Sequence, residues 1–175
     1  MCWTQSTGAW RWQVKYKKFR GRGGGAEESI LGADGIVQIE VEDLTNGKTI
    51  NKGLLFQAKK DGAKDLRRLR NQVEKMERVA KGGSAVFQYG PHGYRGVDSS
   101  VVLHTNSSVF KNEHGEMKRL GKYLSDRFLV CDVGLRGLFF DAVRRVLFVP
   151  DETNSVVQYR ARLGHRLKIE VQRVN

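Results

Sequence analysis

Cysteine is scarce in this chain, and the two cysteines, Cys2 and Cys131, stand far apart. Neither belongs to a CxxC pair or to a histidine-containing metal spacing, so the sequence predicts neither a disulfide framework nor a zinc site. The chain also lacks any run approaching the roughly 20 apolar residues of a membrane-spanning helix. Its opening residues contain no apolar signal-peptide core. We therefore expect a cytoplasmic protein with no membrane partner.

Acidic residues are few relative to basic ones. The sequence has 19 Asp and Glu against 31 Lys and Arg, which gives a formal net charge of +12. The excess is spread along the chain and favours a polyanionic partner such as nucleic acid. Solubility alone and a ribosome-associated role are alternatives that charge does not separate. The length of 175 residues and the absence of repeats or long linkers predict a single domain over 1–175.

A β-hairpin is predicted in the first half of the chain. Residues 35–42 alternate apolar and polar side chains, as a half-buried strand does. Asn46-Gly47 follows, which is the strongest short-range hairpin signal. A mostly apolar run over 54–59 then predicts a returning strand that is covered on both faces. We expect the two strands to pair antiparallel.

Alternation of apolar and basic residues predicts another strand over 10–16. Its aromatic residues share the apolar face, so we expect them to pack in the core: Trp10, Trp12 and Tyr16. The glycine-rich stretch 21–25 lacks the GxxxxGK[ST] pattern of a phosphate-binding loop and is interpreted as a flexible connector.

A helix is predicted from Asp65, which can cap it, to about Lys81, where Gly82-Gly83 ends it. One face is apolar, with Leu66, Leu69, Val73 and Met76. The opposite face is basic, with Arg67, Arg68, Arg70, Lys75, Arg78 and Lys81. This basic face is either a solvated helix surface or a contact surface for nucleic acid.

The rest of the chain carries no motif that points to chemistry. Its patterns predict strands over 84–89, 97–104 and 167–171, a turn over 90–93, and helices over about 116–128 and 138–149, the second of them packed in the core. We expect residues 90–175 to complete the sheet, form a dimer surface or contact an activating subunit.

The predicted hairpin brings polar residues together. If Asn46-Gly47 is a two-residue turn, Asp34 faces Lys59 and Ile36 faces Gln57. Opposed Cβ atoms lie roughly 4.5–5.5 Å apart, so Asp34, Gln57 and Lys59 could enclose a metal ion and a water. A register shift of one residue would separate them, whereas an even shift would not. A plain ion pair between Asp34 and Lys59 is the structural alternative.

The same segment resembles the core of PD-(D/E)XK nucleases, in its Gly32-Ala33-Asp34 and Phe56-Gln57-Ala58-Lys59-Lys60 elements. The Mrr-like restriction endonuclease branch is the most similar, because it replaces the usual acid by Gln as QxK. This family often places an additional acid just upstream of this aspartate, and Glu28 is the first candidate for it, with its neighbour Glu27 as the second. The resemblance covers about 27–89. It implies an α/β, restriction-endonuclease-like fold, with a mixed central β-sheet flanked by helices.

The resemblance implies an Mg²⁺-dependent deoxyribonuclease, in which Mn²⁺ could replace Mg²⁺. Asp34 would bind the metal, with the Gln57 side-chain oxygen and the Ala58 carbonyl as further ligands. Lys59 would orient or help to deprotonate the water and offset charge on the phosphate. Glu28 would complete the outer shell. Because Gln57 replaces an acid, we expect weak metal binding that needs millimolar magnesium.

DNA is the substrate that the resemblance implies, in prokaryotic defence against foreign DNA. The expected DNA contacts are Lys60, Arg67, Arg68, Gln72 and Lys75. Gln72 also resembles the Gln of a QxxxY element that some branches place on this helix, with Met76 in place of the Tyr. A homodimer or an activating partner subunit is a further expectation.

Two other functions fit the same sequence. A non-catalytic module would clamp nucleic acid through its aromatic and arginine side chains, with Asp34 and Lys59 merely paired. A catalytically silent nuclease fold would serve as a scaffold for a partner protein. Substitution of Asp34 separates these functions, because it should abolish cutting but spare binding only in an enzyme.

Overall fold

The structure, a computed structural model, describes residues 2–19, 31–63, 65–104, 117–153 and 155–173. Over these residues the chain is a mixed α/β protein with a large mixed sheet and few helices. None of the described helices is long and apolar enough to cross a membrane. Glu27, Glu28 and the predicted connector 21–25 lie outside the described residues.

Twelve strands and three α-helices are found in the described ranges. The strands are β1 Cys2–Thr7, β2 Trp10–Lys18, β3 Gly35–Asp43, β4 Lys48–Lys60, β5 Ser84–Gly90, β6 Gly93–Asp98, β7 Lys118–Arg119, β8 Leu135–Arg136, β9 Phe139–Asp141, β10 Val146–Pro150, β11 Val156–Arg160 and β12 His165–Arg173. The helices are α1 Leu66–Val79, α2 Ser99–His104 and α3 Leu120–Tyr123, which continues into a π-helical segment, Leu124–Leu129.

The large sheet has the strand order β1-β2-β12-β3-β4-β5-β6-β7, and β8 pairs with β4. The pairs β12·β3 and β4·β5 are parallel, while the other pairs are antiparallel. Strands β9, β10 and β11 form a separate small sheet. This order places the starts of β3 and β12 beside the ends of β4 and β5. We call this the Asp34 end of the sheet.

The sheet is covered on both faces. On one face, the α1 face, the helix residues Leu69, Val73 and Met76 pack in one cluster with Leu55 and Val86 of the sheet. The other face carries a second cluster, formed by Val37, Leu54, Phe56, Ala85, Phe87, Tyr123, Phe128 and Val133. Because strand side chains alternate between faces, Gln57 and Lys59 share the α1 face with Leu55.

Several sequence predictions are confirmed. The strands over 10–16, 84–89 and 167–171 are present within β2, β5 and β12. Strands β3 and β4 pair antiparallel, and β4 is buried over Lys52–Gln57. Helix α1 begins after Asp65, whose carboxylate accepts a hydrogen bond from the Arg68 N–H. Capping of this kind satisfies a main-chain donor that the first helical turn leaves open.

The predicted helix over 138–149 is wrong, because this segment forms the hairpin of β9 and β10. The Asp141 carboxylate accepts the N–H groups of Val143 and Arg144 at 2.9 and 3.0 Å, which fixes a turn in the middle of the segment. Leu147 and Val149 are buried while their neighbours are less so, which is the period of a strand. A short apolar run does not distinguish a buried helix from a strand.

Two other boundaries differ from the prediction. The β-rich run over 97–104 ends as a strand at Asp98 and continues as α2. Val102 packs there in the α1-face cluster, so tertiary packing overrides the local β preference of valine. The helix predicted from about Glu116, a residue outside the described ranges, begins at Leu120 and reaches Leu129 through its π-helical segment.

The hairpin register also differs from the prediction. The turn between β3 and β4 contains four residues, Leu44–Gly47, because Asp43 pairs with Lys48. Hydrogen bonds from Thr45 and Asn46 to the Asp43 carboxylate stabilise this longer turn. Ile36 therefore faces Leu55 rather than Gln57. The shift is even, so every side chain keeps its predicted face.

The prediction that all three β2 aromatics pack in the core is also wrong. Trp10 is 37% exposed and Tyr16 is 44% exposed, while Trp12 is half-buried. Strand β2 lies near the edge of the sheet, between β1 and β12, where the second cluster does not extend to cover it.

Candidate active site

Asp34 is held between two strands by its main chain. Its N–H donates to the Phe56 carbonyl of β4 at 2.9 Å. Its carbonyl accepts from the N–H groups of Gly164 and His165, at 2.8 and 3.1 Å, where β12 begins. The residue thus lies one position before β3, at the Asp34 end of the sheet, and its backbone is fixed although it belongs to no strand.

The Asp34 carboxylate contacts two consecutive residues of β4. Its Oδ2 accepts from the Ala58 N–H at 2.8 Å and from the Gln57 side-chain amide at 2.5 Å. Within a strand, the N–H and the carbonyl of one residue point to the same side, so the Ala58 carbonyl also lies toward Asp34. The Gln57 amide nitrogen is 3.5 Å from that carbonyl oxygen. The Asp34 carboxylate, the Ala58 carbonyl and the Gln57 side-chain amide therefore converge on one small volume.

Gln57 has an unusual environment for a polar side chain. It is only 3% exposed, and its Oε1 has no hydrogen-bond partner among the described residues. A buried acceptor without a partner costs about 1–3 kcal/mol. A bound cation would satisfy such an oxygen. This is the strongest structural indication of a ligand at the site.

Lys59 is positioned by helix α1. Its ammonium donates to the Gln72 side-chain oxygen at 2.8 Å. Gln57 and Lys59 lie on the same face of β4, roughly 7 Å apart along the strand. Gln72, which the sequence singled out by resemblance, is therefore in direct contact with a candidate catalytic residue.

Gly32 allows the segment before Asp34 to pass close to α1. Its φ is +69°, and a Cβ added there would lie 2.2 Å from the Gln72 main-chain oxygen and 3.0 Å from the Lys75 Cβ. No larger side chain fits without displacing the helix or the segment. The glycine thus fixes the distance between the segment that carries Asp34 and the helix that carries Gln72.

Sequence reasoning missed a second polar pair at the same end of the sheet. Gln88 lies beside Lys59 on β5, is 4% exposed and donates to the Asp61 carboxylate at 2.9 Å. The Asp61 N–H also donates to the Tyr89 carbonyl. A glutamine inside the apolar run 84–89 was the available signal. The pair extends the polar surface away from Asp34 along the α1 face.

The predicted DNA contacts lie on both faces of the sheet. Arg67 and Arg68 are exposed on the first turn of α1, close in sequence to the end of β4. Lys75 is half-buried near Gly32. Lys60 is exposed, but strand alternation directs it to the face opposite Lys59. The set therefore does not form one surface on the α1 face.

The residues at the site fit a hard divalent cation. The described residues contain no group of three or more His, Cys, Asp and Glu side chains that could hold a metal. Mg²⁺, however, commonly uses one or two carboxylates, keeps several waters and takes oxygens from substrate phosphates. Asp34, the unpartnered Gln57 oxygen and the Ala58 carbonyl supply oxygen ligands of this kind. Glu28, the expected outer-shell acid, lies outside the described residues.

Comparison of the chain with protein-family models, with curated proteins and with solved structures found no match. The assignment of an activity therefore depends on the residues and geometry of the site.

Proposed function

We propose that this protein is a metal-dependent endonuclease that hydrolyses phosphodiester bonds of DNA, with its active site at the Asp34 end of the sheet. The observation that carries the proposal is the buried Gln57 oxygen, which has no partner in the described part of the chain and lies beside the Asp34 carboxylate. Lys59, held by Gln72 on the same face, supplies the positive charge that phosphate hydrolysis requires. The large mixed sheet with α1 packed on it supports a restriction-endonuclease-like fold as part of this proposal.

The ligands of the metal would be Asp34, Gln57 and the Ala58 carbonyl. When bound, a divalent cation lowers the pKa of a bound water and offsets charge on the phosphate. The Gln57 amide must turn its oxygen toward the ion, which removes its present hydrogen bond to Asp34. One carboxylate among these ligands gives weak affinity, so activity should need millimolar magnesium.

The chain's own residues then orient the reactants. A water oxygen forms a bond to phosphorus while the bond to the leaving oxygen breaks. The Lys59 ammonium can donate hydrogen bonds to the phosphate or to the water, and Gln72 keeps it on the α1 face. Arg67 and Arg68 would hold the DNA backbone beside the start of α1. A role in defence against foreign DNA is implied by the resemblance alone and stays a prediction.

The test is cleavage of plasmid DNA and of short single-stranded DNA by the purified chain, with magnesium or with EDTA. Asp34→Ala and Lys59→Ala are assayed in parallel. The proposal predicts magnesium-dependent cutting that both substitutions abolish. DNA binding without cutting, unchanged by either substitution, would contradict it.

A non-catalytic nucleic-acid-binding module is the second candidate. The exposure of Tyr16 favours it, because an aromatic ring at a basic surface can stack on unpaired bases. In that case the Asp34 and Lys59 variants would bind DNA as the wild type does, and no variant would cut.

A further inference from the structure

A groove opens on the face of the sheet opposite α1, at the same Asp34 end. Its volume is about 560 Å³, within the roughly 300–1,000 Å³ of small-molecule sites. Aromatic side chains form much of its lining: Tyr16, Phe56, Phe87, Tyr89, Tyr94 and His165. Asp34 lines the groove as well. The groove therefore adjoins the candidate active site through a shared residue.

Three tyrosines of this groove are exposed rather than packed. Tyr16, Tyr89 and Tyr94 are 44%, 40% and 61% exposed. Tyr89 and Tyr94 face each other across β5 and β6, with ring centroids 6.2 Å apart. Tyr16 stacks on His165, and its hydroxyl is 2.6 Å from the His165 Nδ1. Contiguous exposed apolar surface of this kind is typical of a binding site.

Two lysines lie beside the groove at the Asp34 end of the sheet. Lys60 pairs with Tyr89 in the β4·β5 register, and Lys18 pairs with His165 in the β2·β12 register. Strand alternation places both lysines on the groove face, and both are exposed. Positive charge next to exposed rings matches a ligand that has planar bases and a negatively charged backbone. The net charge of +12 agrees with such a ligand.

We propose that this groove binds single-stranded DNA, whose unpaired bases stack on Tyr89 and Tyr94 while Lys18 and Lys60 contact the backbone. Exposed rings suit a single strand, because the bases of a duplex are already stacked on each other and cannot reach the rings. The proposal rests on the proposed function in one respect: groove binding would make unpaired strands the preferred substrate of the proposed nuclease.

The test is the binding of a fluorescent oligo-dT and of a duplex of the same length, measured by anisotropy in EDTA so that no cleavage occurs. The double substitution Tyr89→Leu/Tyr94→Leu keeps apolar bulk but removes the rings. We expect oligo-dT to bind more tightly than the duplex, and the double variant to lose at least about tenfold in oligo-dT affinity. Duplex affinity should change by less than about twofold, because phosphate contacts carry it.

Trp10→Leu is the matched control. Trp10 is an exposed aromatic residue on the same strand as Tyr16, but it lies at the far end, paired with Arg173. Its substitution should leave the affinity for oligo-dT unchanged. Equal binding of both oligonucleotides, or wild-type affinity in the double variant, would overturn the proposal. An equal loss in Trp10→Leu would overturn the location.

Other occupants give different results. A homodimer in sedimentation that the double variant dissociates would show that a second copy fills the groove, and tighter binding of oligo-rU than of oligo-dT would show that RNA does. Either result overturns the proposal. The nuclease proposal fails separately: binding that depends on the rings, without magnesium-dependent cutting, contradicts the active site alone. Magnesium-dependent cutting of single strands that is unchanged in the double variant contradicts the groove proposal alone.

Discussion

Two aspartates bracket strand β3, and their carboxylates are held in different ways. The Asp43 carboxylate, at one end, accepts from the Thr45 N–H, the Thr45 hydroxyl and the Asn46 amide, all within three residues. The Asp34 carboxylate, at the other end, accepts from two residues that are 23 and 24 positions away in the chain. The first arrangement stabilises a turn. The second forms only when the sheet is assembled, and it leaves a buried acceptor beside it unsatisfied.

The difference suggests that the two ends of the β3–β4 hairpin have different roles. Asp43 binds local donors of its turn, as turn-forming aspartates do, and adds a 3.6 Å ion pair with Arg173. The donors around Asp34 include a side-chain amide that can rotate, so its carboxylate can accept a cation in exchange. Substitution at the Asp34 end should therefore change activity, and substitution at the Asp43 end should change stability.

The largest expected effect is on cleavage in Asp34→Asn. Loss of the only described carboxylate at the site should lower the cleavage rate by about 1,000-fold or more, since metal assistance contributes several kcal/mol. The rate is measured on supercoiled plasmid with magnesium. Asp132→Asn is the control, because Asp132 is an exposed aspartate that lies away from the site and forms a 3.7 Å ion pair with Arg127. A similar loss of cleavage rate in Asp132→Asn would show that the effect is not specific to Asp34.

Lys59→Gln should lower kcat by about 100-fold, because it removes a charge that stabilises the transition state. Lys48→Gln, at the opposite end of the same strand, is the matched control and should cleave normally. Single-turnover cleavage of a labelled oligonucleotide measures both variants. Equal rates for the two variants would show that Lys59 has no part in the chemistry.

Gln72→Ala should lower kcat by about tenfold and leave KM nearly unchanged, because it removes the partner that positions Lys59. Asn71→Ala tests the specificity of this effect, since Asn71 is exposed on the same helix. Thermal unfolding of both variants is measured alongside. A fall in activity that follows the melting temperature would indicate a structural role for Gln72 instead.

The smallest effect is expected in Asp43→Asn, and it concerns stability only. The hydrogen bond from the Thr45 side chain, with the Thr45 N–H and Arg173, holds the pKa of Asp43 below its ordinary value of 3.8. A lowered pKa adds stability above the ordinary value, and that stability is lost as the pH falls through the folded-state pKa. The difference in unfolding free energy between wild type and variant should therefore shrink between about pH 5 and pH 2. A difference that does not depend on pH, or a loss of cleavage at neutral pH, would contradict the division between the two ends.

Local signals predicted the elements whose bonds are local. Asp65 and the apolar spacing of α1 predicted that helix, and Asn46-Gly47 predicted the hairpin. The register was missed because the turn length depends on side-chain bonds to Asp43 rather than on the Asn-Gly pair. The segment 138–149 was misassigned because its apolar run fits both periods, and the Asp141 turn decides between them.

The candidate site was predictable only in part for a similar reason. Gln57 and Lys59 are two positions apart in one strand, so they share a face, and a register shift of two residues does not change that face. The contact of Lys59 with Gln72, by contrast, depends on how α1 crosses the sheet, which Gly32 permits. The groove could not be predicted, because its lining combines the β5–β6 hairpin with β2 and β12, which are far from that hairpin in sequence.

The most direct test of the cation site is binding of Mn²⁺, measured by electron paramagnetic resonance without DNA, in wild type, Asp34→Asn and Asp132→Asn. We predict one weakly bound ion per chain in the wild type and in Asp132→Asn, displaced by millimolar magnesium, and none in Asp34→Asn. Equal Mn²⁺ binding by all three proteins would contradict the account, because the ion would then lie away from Asp34.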